Sequence, residues 1–146
     1  MVTSQRGSGI FAATKTRRVL VVDDHVDSAV LIAEVLAAQG HDTRVAHDPI
    51  TAERAALEFG PQVVILDIGL PGMSGYDLLR RLRSRAELEA CRFIALTGHS
   101  EHVDRRRSRE AGFQAHLTKP LDLRAVLNSV ATDESSTDDR STGSAR

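Results

Sequence analysis

Four charged residues drawn from three distant places in this chain each follow a short apolar run. Asp23 and Asp24 follow Val19 to Val22, Asp67 follows Val63 to Leu66, and Lys119 lies just beyond Ala115 to Leu117. Runs of this kind read as parallel strands, whose two faces are both buried. In an open parallel sheet the carboxyl ends of the strands line the ligand crevice. Three carboxylates and one ammonium are therefore expected to converge. Three carboxylates in one crevice repel each other unless a cation sits among them. A hard divalent ion such as Mg2+, which takes oxygen ligands, suits them best. Lys119 would then face an anion bound to that ion, most simply a phosphoryl group.

The choice of lysine sharpens this reading. Of 19 basic residues only Lys15 and Lys119 are lysines, and the rest are arginines. A compact point charge on a flexible stem does different chemistry from a planar fork. Asp67 ends its strand and opens a glycine-rich loop, so beside a bound cation its carboxylate could attack a phosphoryl group. Thr97 ends the fourth strand, where its hydroxyl could hydrogen-bond a phosphoryl oxygen.

The elements that must position these residues alternate strand and helix five times. The predicted strands are Arg18–Val22, Asp42–Ala46, Val63–Leu66, Arg92–Leu96 and Gln114–Leu117. The first helix is expected from Val26 to Gln39, stopped by Gly40 as a glycine past a helix end does. Asp48-Pro49 supplies a cap and a first-turn proline for a second helix ending at Phe59. Ser74 and Asp77 resemble a capping pair for a third helix reaching Arg85. A fourth, Ser100 to Ala111, is nearly all polar, with Val103 and Ala111 as its apolar anchors. The last is Leu121 to Val130. Five such units with short connections predict an α/β fold with a parallel sheet covered by helices on both faces.

Bulk properties narrow the function. A length of 146 residues is one domain with tails: a flexible lead over 1–16, a body over 17–130 and a disordered tail over 131–146. Aromatics are only 3%, so Val, Leu, Ile and Ala must fill the core. A net charge of −1 gives no general reason to bind nucleic acid or an anionic membrane. No apolar run reaches membrane-spanning length. The run Arg105-Arg106-Arg107-Ser108-Arg109 reads as a solvated helix face before it reads as a docking surface. One cysteine, Cys91, permits no internal disulfide and reads as inert packing; a cytoplasmic location agrees with this. His25 reads as a loop residue near the crevice mouth.

The segments Val21-Val22-Asp23-Asp24, Leu66-Asp67-Ile68-Gly69-Leu70-Pro71-Gly72-Met73-Ser74-Gly75-Tyr76, Ala95-Leu96-Thr97-Gly98 and Thr118-Lys119-Pro120, taken in order, resemble the receiver domain of two-component response regulators. The resemblance spans Arg18 to Val130. It implies a flavodoxin-like, doubly wound (βα)5 fold with five parallel strands. It also implies Mg2+ dependence, with Asp23, Asp24, Asp67 and the Gly69 backbone carbonyl around the ion. Asp67 would accept a phosphoryl group from a histidine kinase or a histidine phosphotransfer protein, assisted by Lys119 and Thr97. Lys119-Pro120 would hold a cis peptide. Such a domain is no enzyme in the ordinary sense, since it would catalyse only its own phosphorylation and dephosphorylation.

By the same resemblance the chain would signal to a downstream protein through the face of the fourth helix, fifth strand and fifth helix. It would do so without contacting nucleic acid or inserting in a membrane, and with room for a dimer formed on phosphorylation. Thr97 and residue 116 would form its switch. His116 stands where the family usually has Tyr or Phe, and a charged imidazole would resist burial there. Gly69 and His99 occupy positions that tune phosphoryl lifetime in the family. Three alternatives stay open: a segment of a hybrid histidine kinase, an interaction module that signals without phosphorylation, and a haloacid-dehalogenase-like phosphatase. The last wants an acid two residues past its nucleophile, where this chain has Gly69.

Overall fold

The computed structural model describes residues 15–98 and 105–132. All but two residues of the expected lead, and all but two of the expected tail, lie outside that range. So do Ser100, His102, Val103 and the rest of the expected start of the fourth helix, together with His99.

Five parallel strands form one sheet: β1 (Arg18–Val22), β2 (Asp42–Ala46), β3 (Val63–Asp67), β4 (Arg92–Thr97) and β5 (Ala115–Thr118). Their spatial order is β2-β1-β3-β4-β5. The chain steps from β1 to β2 on one side, then returns across β1 to place β3 on the other. This reversal opens a crevice at the carboxyl ends of β1 and β3.

Side-chain alternation along the strands divides the core in two. Leu20, Val22, Val64, Leu66, Phe93 and Ala95 face one layer, with helices α2 (Pro49–Phe59) and α3 (Gly75–Arg83). Val19, Val21, Val63, Ile65, Ile94 and Leu96 face the other, with α1 (Val26–Ala38) and α5 (Leu123–Ala131). Each of these strand residues is at most 2% exposed, which explains why the strands read as unbroken apolar runs. The fold matches the doubly wound α/β expectation.

Local signals placed most helix ends. Asp48 accepts the Thr51 N–H at 2.8 Å with Pro49 in the first turn, and Gly60 closes α2 in the left-handed region at φ 63°. Ser74 accepts the Asp77 N–H at 3.2 Å. The third helix differs from expectation. It stops at Arg83, and a separate 3-10 turn follows over Ala86–Leu88. Arg81, inside α3, and Arg85, just past it, both grip the Glu53 carboxylate, at 2.8 and 2.6 Å, and so tie this part of the chain to α2. Helix α4 is described over Arg105–Ala111, where only Ser108 is buried. Helix α5 begins at Leu123, capped by Asp122, and includes Ala131, one residue past the expected body.

Candidate functional site

The register fixes which residues meet. Val22 pairs with Leu66, and Asp67 with Leu96, so the residues after β1 and at the end of β3 share one edge. Thr97 pairs with Thr118 one strand further on, and the Lys119 N–H continues that ladder to the Thr97 carbonyl at 2.9 Å. The Lys119–Pro120 peptide is cis.

Asp23, Asp24, His25 and Asp67 each offer a ligand atom, and these atoms lie within 4.8 Å of one another. Asp23 is fully buried and Asp67 nearly so. Lys119 Nζ stands 3.0 Å from Asp23 Oδ2 and 3.9 Å from Asp67 Oδ2. The Gly69 N–H donates to Asp67 Oδ1 at 2.8 Å, and the His25 N–H to Asp23 Oδ1 at 3.0 Å. The structure thus brings together Asp23, Asp24, Asp67 and Lys119. Thr97 is buried at the same edge, but its hydroxyl turns to Thr118 Oγ1 at 3.5 Å.

The two buried acids ionise unequally. Burial raises Asp67, the neighbouring Asp23 carboxylate adds to this, and its pKa reaches about 7 against the Gly69 hydrogen bond and the Lys119 charge. Burial also acts upward on Asp23, but the His25 N–H and Lys119 outweigh it and hold that acid below its ordinary value. Asp23 is thus the acid favoured in its charged form, and a further cation beside Asp67 would help that one to ionise.

The sequence reading missed three supports. Gly75 begins α3 against the loop after Asp67, where an added Cβ would stand 2.5 Å from Ile68 Cα and 2.7 Å from the Asp67 carbonyl oxygen. Its signal lay only in the loop motif. Gly75→Ala should push that loop aside, destabilise the fold by about 1–3 kcal/mol in denaturant unfolding, and slow chemistry at Asp67. A change below about 0.5 kcal/mol would show that α3 moves away freely.

His25 is the second: its ring is largely exposed, but Nδ1 lies 3.3 Å from Asp23 Oδ1. The third is Ser108, whose Oγ lies 2.7 Å from His116 Nε2. Ser108 is fully buried, so a polar contact from β5 fastens a helix that has almost no apolar face.

Burial, with Arg105 and Arg109 nearby, depresses His116 to about 4. The ring therefore stays neutral near pH 5.5, in line with an imidazole that resists charging when buried. A base with a depressed folded pKa binds fewer protons folded than unfolded between about 4 and 6.5. Its contribution is intact above about 6.5 and is lost as pH falls toward 4. His116→Phe should lessen the acid sensitivity of the melting temperature across that window, by the equivalent of about 2 kcal/mol. Asp67 acts in the opposite direction, so the diagnostic quantity is the difference between wild type and variant. Equal slopes for both proteins would rule the histidine out.

The model of the response regulator receiver domain matches residues 19–131. The chain belongs to the response regulator receiver family. This receiver is 34% identical over 117 residues to the DNA-binding response regulator MtrA of Mycobacterium bovis, covering 80% of this chain but 50% of MtrA. It thus spans about half the length of that relative. It is 29% identical over 113 residues to Protein PilH of Pseudomonas aeruginosa, covering 77% of this chain and 93% of PilH. Among solved structures, the receiver domain of the Francisella response regulator 1452 superposes with a TM-score of 0.69 at 26% identity, covering 79% of this chain and 93% of that one. A chemotaxis response regulator of Vibrio cholerae superposes at 0.72 and 22% identity over 80% and 97%, which bears on the fold alone. Among the described residues of the receiver, no helix is long and apolar enough to cross a membrane.

Proposed function

We propose that this receiver accepts a phosphoryl group on Asp67 from a histidine kinase or histidine phosphotransfer protein and signals by rearranging α4, β5 and α5. The carrying observation is Asp67 itself. It is a nearly buried strand-end carboxylate beside a second acid, with an ammonium 3.9 Å away. An Asp67 oxygen would bond to phosphorus as the donor's phosphorus–nitrogen bond breaks. Lys119 stands ready to hold the incoming oxygens, and rotation of the Thr97 hydroxyl away from Thr118 would supply a donor to them.

The residues fit Mg2+. Asp24 Oδ1 is buried without a hydrogen-bond donor, and carboxylate oxygens are what this ion prefers. Asp24, Asp67 and the Gly69 carbonyl would hold it directly, with Asp23 direct or through water. The ion supplies neutralisation of charge on the transferring group. A depression of about 400 Å³ lined by His25, Val26, Asp27, Ser28 and Lys119 opens beside the site. Exposed Val26, Val30 and Leu31 on α1 give a donor protein an apolar approach to it.

The match takes in 93% of PilH and 50% of MtrA, so the receiver is the unit shared with both. Such a domain would turn over only its own phosphoryl group. On the signalling side, His116 would leave Ser108 when Thr97 moves toward the phosphoryl group, and this would free α4.

Incubation with acetyl phosphate and Mg2+ should place one phosphoryl group on the chain, at Asp67. Mg2+ titration should show Asp24→Asn binding at least tenfold more weakly than wild type, and Asp27→Asn close to wild type. Equal losses in the two variants would overturn the cation assignment.

A further inference from the structure

We infer that His25 is a nitrogen ligand of the cation site, so that the site captures imidazole-seeking first-row divalent ions such as Co2+, Ni2+ or Zn2+ more tightly than its carboxylates alone would. The inference rests on the cation reading of Asp24 and Asp67 above and adds to it a residue and a metal class.

His25 occupies the cap position of α1, yet its side chain makes no capping hydrogen bond. Its Nδ1 edge faces the cluster instead. Nδ1 lies 3.3 Å from Asp23 Oδ1 and 3.7 Å from Asp24 Oδ1. Neighbouring ligands around an ion of roughly 2.1 Å bond length stand about 3 Å apart, and opposite ones about 4.2 Å apart. Both separations fall in that interval.

Lys119 Nζ stands 3.2 Å from the same nitrogen, so Nδ1 sits where the charged groups of the cluster meet. The His25 backbone N–H donates to Asp23 Oδ1 at 3.0 Å. That backbone bond also anchors the residue, so the ring reaches the site without rearrangement of the chain.

Two carboxylates with one imidazole form a mixed oxygen and nitrogen set. Oxygen ligands suit Mg2+, while imidazole favours the later first-row ions. The ring is two-thirds exposed, so its removal should leave the fold intact.

The test is metal binding, read by calorimetry and by the visible absorption of Co2+, with Mg2+ alone and Co2+ alone as probes. His25→Ala should weaken Co2+ binding about tenfold or more and alter the Co2+ spectrum, while changing Mg2+ affinity less than about twofold. Asp24→Asn should weaken both ions. If Mg2+ and Co2+ both bind Asp24→Asn as they bind wild type, the cation reading itself fails. If Asp24→Asn loses both ions but His25→Ala keeps wild-type Co2+ affinity and spectrum, only the role of His25 is overturned.

Discussion

Asp67→Asn is expected to take up no phosphoryl group from acetyl phosphate and no fluoroberyllate in Mg2+, a loss of at least about a thousandfold in labelling. An amide oxygen is too weak a nucleophile to replace the carboxylate. The fold should not suffer with the chemistry. Asp67 is buried beside Asp23 and titrates near 7, so above that pH its charge opposes folding. The sign follows from proton counts: an acid raised when folded binds more protons folded than unfolded between about 3.8 and 7, and stability declines as pH rises through that window. Asparagine removes the charge. In melts at pH 8 without divalent cation, Asp67→Asn should be as stable as wild type or more stable by about 1–2 kcal/mol. Mg2+ should then raise the wild-type melting temperature more than that of the variant. Labelling at wild-type level in Asp67→Asn would sink the acceptor assignment. A variant much less stable at pH 8 would contradict the electrostatic account.

Lys119→Met should reduce the rate of phosphoryl uptake by about 10²–10³-fold, the usual loss when one preorganised charge facing a transition state is removed. It should also weaken the metal-free fold near neutral pH by about 2–3 kcal/mol, because fully buried Asp23 keeps a charge and loses the ammonium 3.0 Å from it. Lys119 holds the Asp23 pKa down, so that acid's contribution is present above the carboxylate range and fades as pH falls through it. The stability gap between Lys119→Met and wild type should narrow accordingly in acid. Lys119→Arg should recover more stability than rate, since a planar fork restores charge but not the compact donor. Stopped-flow labelling and denaturant unfolding at two pH values separate the two effects. A variant with wild-type rate and stability would remove Lys119 from the site.

The apolar runs determined that residues 18–22, 63–66 and 92–96 are interior parallel strands, because a strand buried on both faces has no room for alternation. Asp48-Pro49 and Ser74 determined helix starts through bonds to N–H groups two or three residues away, where no distant partner intervenes. Those strands, with β5 beside them, carried Asp23, Asp67 and Lys119 to one edge in order, so the convergence of charge was legible from position alone. Long-range geometry decided the rest. Glu53, on another helix, holds Arg85 just past the end of α3. Nothing local shows that an added Cβ at Gly75 would strike the Ile68 backbone. His25 reads as a loop residue until Lys119, ninety-four positions away, arrives 3.2 Å from its ring. The unequal ionisation of Asp23 and Asp67 is likewise a tertiary property. Each carboxyl has an ordinary affinity for protons in the chain, and burial, the His25 N–H on Asp23 and the shared ammonium drive the two apart.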